Sequence, residues 1–261
     1  MQPNFLSRGW WRKATLKKLH SELDKGATIM DADKNGNIAW FYALANCTAT
    51  DVIEELIALG ADVNYIDTAQ CSALMVAAES NPNHEIIETL CRAGAQVRYE
   101  DEDGHTALSM AAARNRNPHV CQVLIDRGAD VNLYDFLEQT PLMLAAALNP
   151  NFKVVDTLIR CGANIRRKDS KGYTALMHAA TNNIDVMVIL IRSGIDINAA
   201  DNNGKTALMI AARDNNNPEM VRLLIANGAD TDARDHKNRN ALFYAARFNK
   251  NVDVADAILG K

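Results

Sequence analysis

The stretch Asp201–Ala233, DNNGKTALMIAARDNNNPEMVRLLIANGADTDA, decides the fold. Thr206 stands just before the apolar run Ala207-Leu208-Met209-Ile210-Ala211-Ala212, where its hydroxyl can accept from the free N–H groups of a helix that starts there. The run is short and alanine-rich, so neighbouring helices can approach closely. Asn217 followed by Pro218 starts a second helix, with an amide cap and then a residue whose missing N–H is unneeded in the first turn. Met220, Val221, Leu224 and Ile225 give that helix one apolar face. Gly228 ends it, because the left-handed conformation past a helix C-terminus is cheap for glycine. Polar, turn-forming residues follow.

The same unit recurs in both directions. Gly26, Gly60, Gly94, Gly128 and Gly162 are spaced by 34 residues, Gly194 follows after 32, and Gly228 after another 34. An aspartate column keeps that phase at Asp33, Asp67, Asp101, Asp135, Asp169, Asp201 and Asp235. So does an asparagine column at Asn83, Asn117, Asn151, Asn183, Asn217 and Asn251. Three columns sharing one two-residue deletion define a repeat. A single helix–turn–helix unit cannot bury its apolar face, whereas stacked units cover one another. The expected organisation is an N-terminal capping half-repeat at 1–32, then repeats at 33–66, 67–100, 101–134, 135–168, 169–200 and 201–234, and a terminal one at 235–261. Trp10, Trp11 and Trp40 are expected to cover the first apolar face. At the other end Val252, Val254, Ile258 and Leu259 give no polar outer face, so more chain or a partner is expected to cover it.

The composition narrows the function. The chain has 261 residues, a formal net charge of −4 and a sequence pI near 5.9, where a phosphate-tracking protein carries a basic surplus; no nucleic-acid partner is expected. No apolar run is long enough for a membrane span, and the N-terminus lacks the apolar core of a signal peptide. The five cysteines, Cys47, Cys71, Cys91, Cys121 and Cys161, are scattered and odd in number, which fits a reducing, cytoplasmic compartment. No nucleophile elbow, zincin helix, phosphate loop or dinucleotide fingerprint occurs, so no catalytic residue, cofactor or metal is expected. His84 and His119 fall in adjacent inter-helix loops and are read as solvated. Cys71, on a turn, is the best candidate for a reactive thiol.

The repeat resembles the ankyrin family over nearly the whole chain. The residues that carry the resemblance are DEDGHTALSMAA (Asp101–Ala112), DSKGYTALMHAA (Asp169–Ala180), DNNGKTALMIAA (Asp201–Ala212) and the two GADVN segments at Gly60–Asn64 and Gly128–Asn132. There are departures. The family's Thr-Pro keeps its proline only at Pro141, its histidine becomes Met75, Met143, Met177 and Met209, and its turn glycine becomes Gln70, Glu138 and Asn238. The loop between the helices is longer and rich in Asn and Pro, a variant similar to bacterial ankyrin proteins. The resemblance implies an all-α solenoid of stacked helix–turn–helix units with protruding turn or β-hairpin fingers.

It also implies binding to another protein through fingertips and the exposed ends of first helices, by a chain that is monomeric on its own. Carried over unit by unit, the surface includes Lys34, Asn35, Asn37, Glu102, Asp103, His105, Arg114, Lys171, Asn182, Lys205, Arg213 and Arg239. Phe136, Leu137, Leu148 and Tyr173, with Tyr134 nearby, place large apolar side chains where the other units are mostly polar. Two explanations stand side by side. These residues form a binding hot spot, or Glu138 distorts its finger so that Phe136 is buried locally. Two functions follow: a free interaction scaffold, or a regulatory or targeting segment of a larger enzyme or secreted effector whose catalytic part lies elsewhere.

Overall fold

A computed structural model describes residues 4–34, 36–181 and 183–260; Asn35 and Asn182 lie outside the described residues. Its regular structure is helical throughout, in two compact units, Met1–Asp130 and Val131–Lys261.

In unit 1, a 3-10 turn at Asn4–Leu6 precedes α1 (Arg8–Trp11), α2 (Leu16–Leu23), α3 (Ala39–Asn46), α4 (Thr50–Ala58), α5 (Ala73–Ser80), α6 (His84–Arg92), α7 (Ala107–Arg114) and α8 (Pro118–Asp126). Odd-numbered helices pack on one another as one layer and even-numbered helices as a second. Unit 2 repeats the scheme with α9 (Pro141–Leu148), α10 (Phe152–Arg160), α11 (Ala175–Ala179), α12 (Ile184–Arg192), α13 (Ala207–Asp214), α14 (Pro218–Ala226), α15 (Ala241–Phe248) and α16 (Val252–Ile258). This two-layered stacking of short helix pairs is the architecture of an all-α solenoid. Among the described residues the fingers are tight turns without strands, and isolated single bridges at Ala32–Ile38, Ile66–Ser72 and Ala200–Thr206 stand where hairpins were considered above.

Capping residues set the helix starts. Thr106, Thr140, Thr174 and Thr206 each accept from the amide three residues on, and Ser72 does the same at α5. Asn83, Asn117, Asn151, Asn183, Asn217 and Asn251 cap the second helices, with Pro118 and Pro218 as first helical residues. Ala77, Ala111, Ala145, Ala179 and Ala211 are fully buried, which is why the first helices are alanine-rich.

The N-terminal segment does more than supply a second helix. The 3-10 turn and α1 pack on α3, while α2 packs on α4, so both layers are covered. Phe5 and Trp11 are buried, and the Trp11 indole donates to the Phe5 carbonyl at 2.7 Å. Trp40 is buried and donates to the Asp62 carbonyl at 3.0 Å, whereas Trp10 is half-buried. At the far end Val254 is buried, Ile258 is half-buried, and Val252 and Leu259 are exposed.

A second asparagine column, two residues before the caps, stitches the repeats together. The Asn81 amide donates to the Leu44 and Cys47 carbonyls, each at 2.7 Å. Asn115 donates to Ala78 and Asn81, each at 2.8 Å, and Asn249 donates to Ala212 and Asn215 at 3.0 and 2.8 Å. Each side-chain oxygen accepts from the capping asparagine's amide two residues later. The two-residue deletion shortens α11 to five residues and puts Thr181 where this asparagine belongs. In the next repeat, Asn215 donates only to the Ala180 carbonyl among the described residues, at 3.1 Å.

Candidate partner-binding surface

The aspartate column builds the fingers. In the fingers from Asp67 onward one carboxylate oxygen accepts from the amides two and four residues on. The pairs are Asp67 with Ala69 and Cys71, Asp101 with Asp103 and His105, Asp135 with Leu137 and Gln139, and Asp169 with Lys171 and Tyr173. Asp201 and Asp235 do the same for Asn203 and Lys205, and for Lys237 and Arg239. The turn closes through a left-handed residue. That residue is glycine in most fingers, but Gln70, Glu138 and Asn238 adopt φ of 58°, 61° and 60°.

Glu138 therefore does not refold its finger, and the explanation in which Phe136 is buried locally is overturned. Phe136 is 74% exposed, Leu148 56%, Leu137 54% and Tyr134 44%. Phe136 makes no ring contact among the described residues. Tyr134 lies under the Arg167 guanidinium, 4.4 Å from the ring centroid. Tyr173 does not join Phe136 in an aromatic cluster; it is half-buried and packs on His178 with ring centroids 5.6 Å apart. His178 also meets the second oxygen of Asp169 at 3.0 Å; burial pushes the imidazole below its ordinary value against the pull of that carboxylate. The Phe136→Ala variant should accordingly change unfolding free energy by less than about 0.5 kcal/mol in urea denaturation.

Within unit 2 the fingertips are laced together through the backbone. The Ser170 amide donates to the Leu137 carbonyl, Asn202 to Lys171, and His236 to Asn203, at 3.0, 3.1 and 3.0 Å. The cations along this row meet aromatic rings. Lys205 lies over Tyr244 at 5.6 Å, Arg213 over Phe248 at 5.5 Å, and Arg239 over Tyr244 at 5.0 Å. Arg239 also binds the second oxygen of Asp235 at 2.8 and 2.6 Å. Lys171 is exposed.

In unit 1, Glu102 and Asp103 are exposed, and the His105 ring lies 3.3 Å from the second oxygen of Asp101. Arg114 bridges to Glu79 at 2.9 Å. A groove that the sequence reading missed is lined by Arg8, Arg12, Phe41, Tyr42, Asp67 and Glu79. Arg8 and Arg12 come from around α1, in the part of the capping half-repeat where the sequence reading singles out only Trp10 and Trp11. His84 and His119 stack with ring centroids 5.4 Å apart, and no group of three or more potential ligands for a metal occurs among the described residues.

The expectation for Cys71 is corrected. Its side chain is half-buried, and burial together with the Asp67, Glu79 and Asp101 carboxylates pushes the thiol up to about 12. Thiolate is the reactive form, so alkylation of Cys71 by iodoacetamide at pH 8 should run roughly a hundredfold slower in the folded chain than in urea. Peptide mapping of the modified cysteines over time reads this directly.

A family model described as ankyrin repeats matches the chain in three copies, over residues 40–135, 134–201 and 189–261. No curated protein matches it.

Proposed function

This chain belongs to the ankyrin-repeat family, and we propose on that premise that it is a protein-interaction scaffold, binding a partner protein through fingertips and first-helix ends. One observation carries the reading: a rigid finger of ordinary geometry holds Phe136 74% exposed beside exposed Leu137. A large apolar side chain held in water by a well-braced turn is the arrangement of a binding anchor. Tyr134, Leu148 and Tyr173 extend the same surface within unit 2. Glu102, Asp103, His105 and Arg114 supply a separate acidic-to-neutral set in unit 1. The repeats are placed at the boundaries given above, and the protein acts as a cytoplasmic monomer without a cofactor. No helix among the described residues is long and apolar enough to cross a membrane.

The test compares affinity capture by the parent chain and by a Phe136→Ala/Tyr173→Ala double variant whose melting curve shows it is folded. A partner held by the parent and lost by the variant supports the anchor. A partner held equally by both sinks this placement of the site.

A further inference from the structure

We propose that the fingers and first helices of unit 2 between residues 169 and 250 receive an acidic peptide segment carrying an aromatic or aliphatic side chain. This rests on the scaffold reading and names the chemistry of the partner.

The charge on this strip is one-sided. Lys171, Lys205, Arg213, Lys237, Arg239 and Arg247 are exposed or half-buried there. The carboxylates Asp169, Asp201 and Asp235 are buried and occupied with finger amides. Asp214 is the one carboxylate of these segments that reaches solvent, and it lies 3.5 Å from Arg213. Lys171, Lys205, Lys237 and Arg247 form no ion pair among the described residues. The asymmetry persists at the scale of the unit. Residues 131–261 hold sixteen Lys and Arg against fourteen Asp and Glu, whereas residues 1–130 hold twelve against eighteen.

The cations are also positioned in advance. Arg213 lies over Phe248, and Arg239 over Tyr244 and Phe243, the last at 5.8 Å. Stacking restrains a guanidinium for pairing with a carboxylate. Arg239 already gives two of its nitrogens to the buried Asp235 carboxylate and Arg213 lies beside Asp214, so Lys171, Lys205, Lys237 and Arg247 supply most of the charge open to a ligand. Phe243 and Phe248 are exposed, with centroids 6.3 Å apart, so apolar contact area sits among the charges. The hydrogen-bonded fingertip row keeps the spacing fixed, which lowers the ordering cost on binding. A carboxylate-rich peptide with an apolar side chain matches both features. Nucleic acid matches the charge but not the apolar contact area, and the chain's net charge of −4 opposes both anions alike, so the apolar area beside the cations is what favours the peptide.

Fluorescence anisotropy tests this with a short labelled peptide of Asp and Glu containing two phenylalanines. Its Asn/Gln counterpart and an oligodeoxythymidine serve as comparisons. The acidic peptide should bind the full chain about tenfold more tightly than the neutral peptide, and should weaken as salt rises. Arg213→Gln combined with Lys237→Gln should cost about tenfold in affinity and flatten the salt dependence. Arg213→Lys should keep most of the salt dependence, and Phe248→Ala should cost about fivefold. These side chains are exposed, so folding is checked by circular dichroism alone. Equal binding of the neutral peptide, an unchanged affinity in the double variant, or tighter binding of the oligodeoxythymidine would overturn the proposal. A salt-sensitive dimer that excludes the peptide would also overturn it, making a second copy the occupant. A cellular partner captured through Phe136 with no acidic-peptide binding would leave the scaffold reading standing and remove this inference.

Discussion

Replacing Asn115 by leucine is expected to cost about 3–5 kcal/mol of unfolding free energy. The side chain is buried and isosteric with leucine, so packing volume is nearly conserved and the loss is in hydrogen bonding. The Ala78 and Asn81 carbonyls lose their amide donor, and the Asn117 amide loses its acceptor. Each is a buried or half-buried backbone group stranded away from water, at about 1–3 kcal/mol apiece. Asn117 is also the cap of α8, so the start of that helix loosens with it. Urea unfolding followed by circular dichroism measures the change as a shift in midpoint. Asn215→Leu should cost less, because that amide donates to one carbonyl among the described residues. Equal losses at the two positions, or a loss below about 1 kcal/mol at Asn115, would show that the column does not hold the repeats together.

This asparagine column also marks where the sequence stopped being legible. The helix starts were readable because a cap is a local device: Thr206 and Asn217 lie within three residues of the amides they satisfy. The aspartate column was readable as a period, although its role was not, since the carboxylate acts on amides two and four residues ahead. Asn115 acts on carbonyls 37 and 34 residues behind it. Nothing local distinguishes it from the polar loop residues around it, and only stacking brings those carbonyls within reach. The N-terminal segment was legible in part: Trp11 and Trp40, expected to cover the first apolar face, are buried, and α1 packs on α3. Phe5 belongs to no repeat column and was not singled out, because its burial depends on elements that only the fold brings against it. On the surface, Phe136 was identified as unusual, but two outcomes remained because exposure depends on whether Glu138 tolerates a left-handed backbone. It does, at φ 61°, and so the finger keeps its shape.

The Asp235→Ala variant is expected to lose a further large amount, about 3–5 kcal/mol, and to lose it from the end of unit 2. Asp235 is buried and holds four groups at once. Its first oxygen accepts from the Lys237 and Arg239 amides, each at 2.9 Å. Its second takes the Arg239 guanidinium and the buried Tyr244 hydroxyl, the latter at 2.7 Å. Alanine strands the hydroxyl and both amides and releases Arg239 from its place over the rings, so the finger and α15 lose their common anchor. Asp235→Asn keeps an acceptor for the amides and removes only the charge, so about 1–2 kcal/mol is expected. The pH dependence separates charge from geometry. Burial alone would raise the Asp235 carboxyl, but the hydrogen bonds from Arg239 and Tyr244, and then from the two amides, hold it well below the usual carboxylate range. A depressed folded-state value means that the carboxylate's contribution is complete above about pH 4 and is lost as pH falls toward the folded value. The gap in urea midpoint between the parent chain and Asp235→Asn should therefore be widest at neutral pH and shrink below about pH 4. A gap that stays constant across that range would mean the finger is held by shape and amide geometry, with the Arg239–Asp235 charge pair contributing nothing.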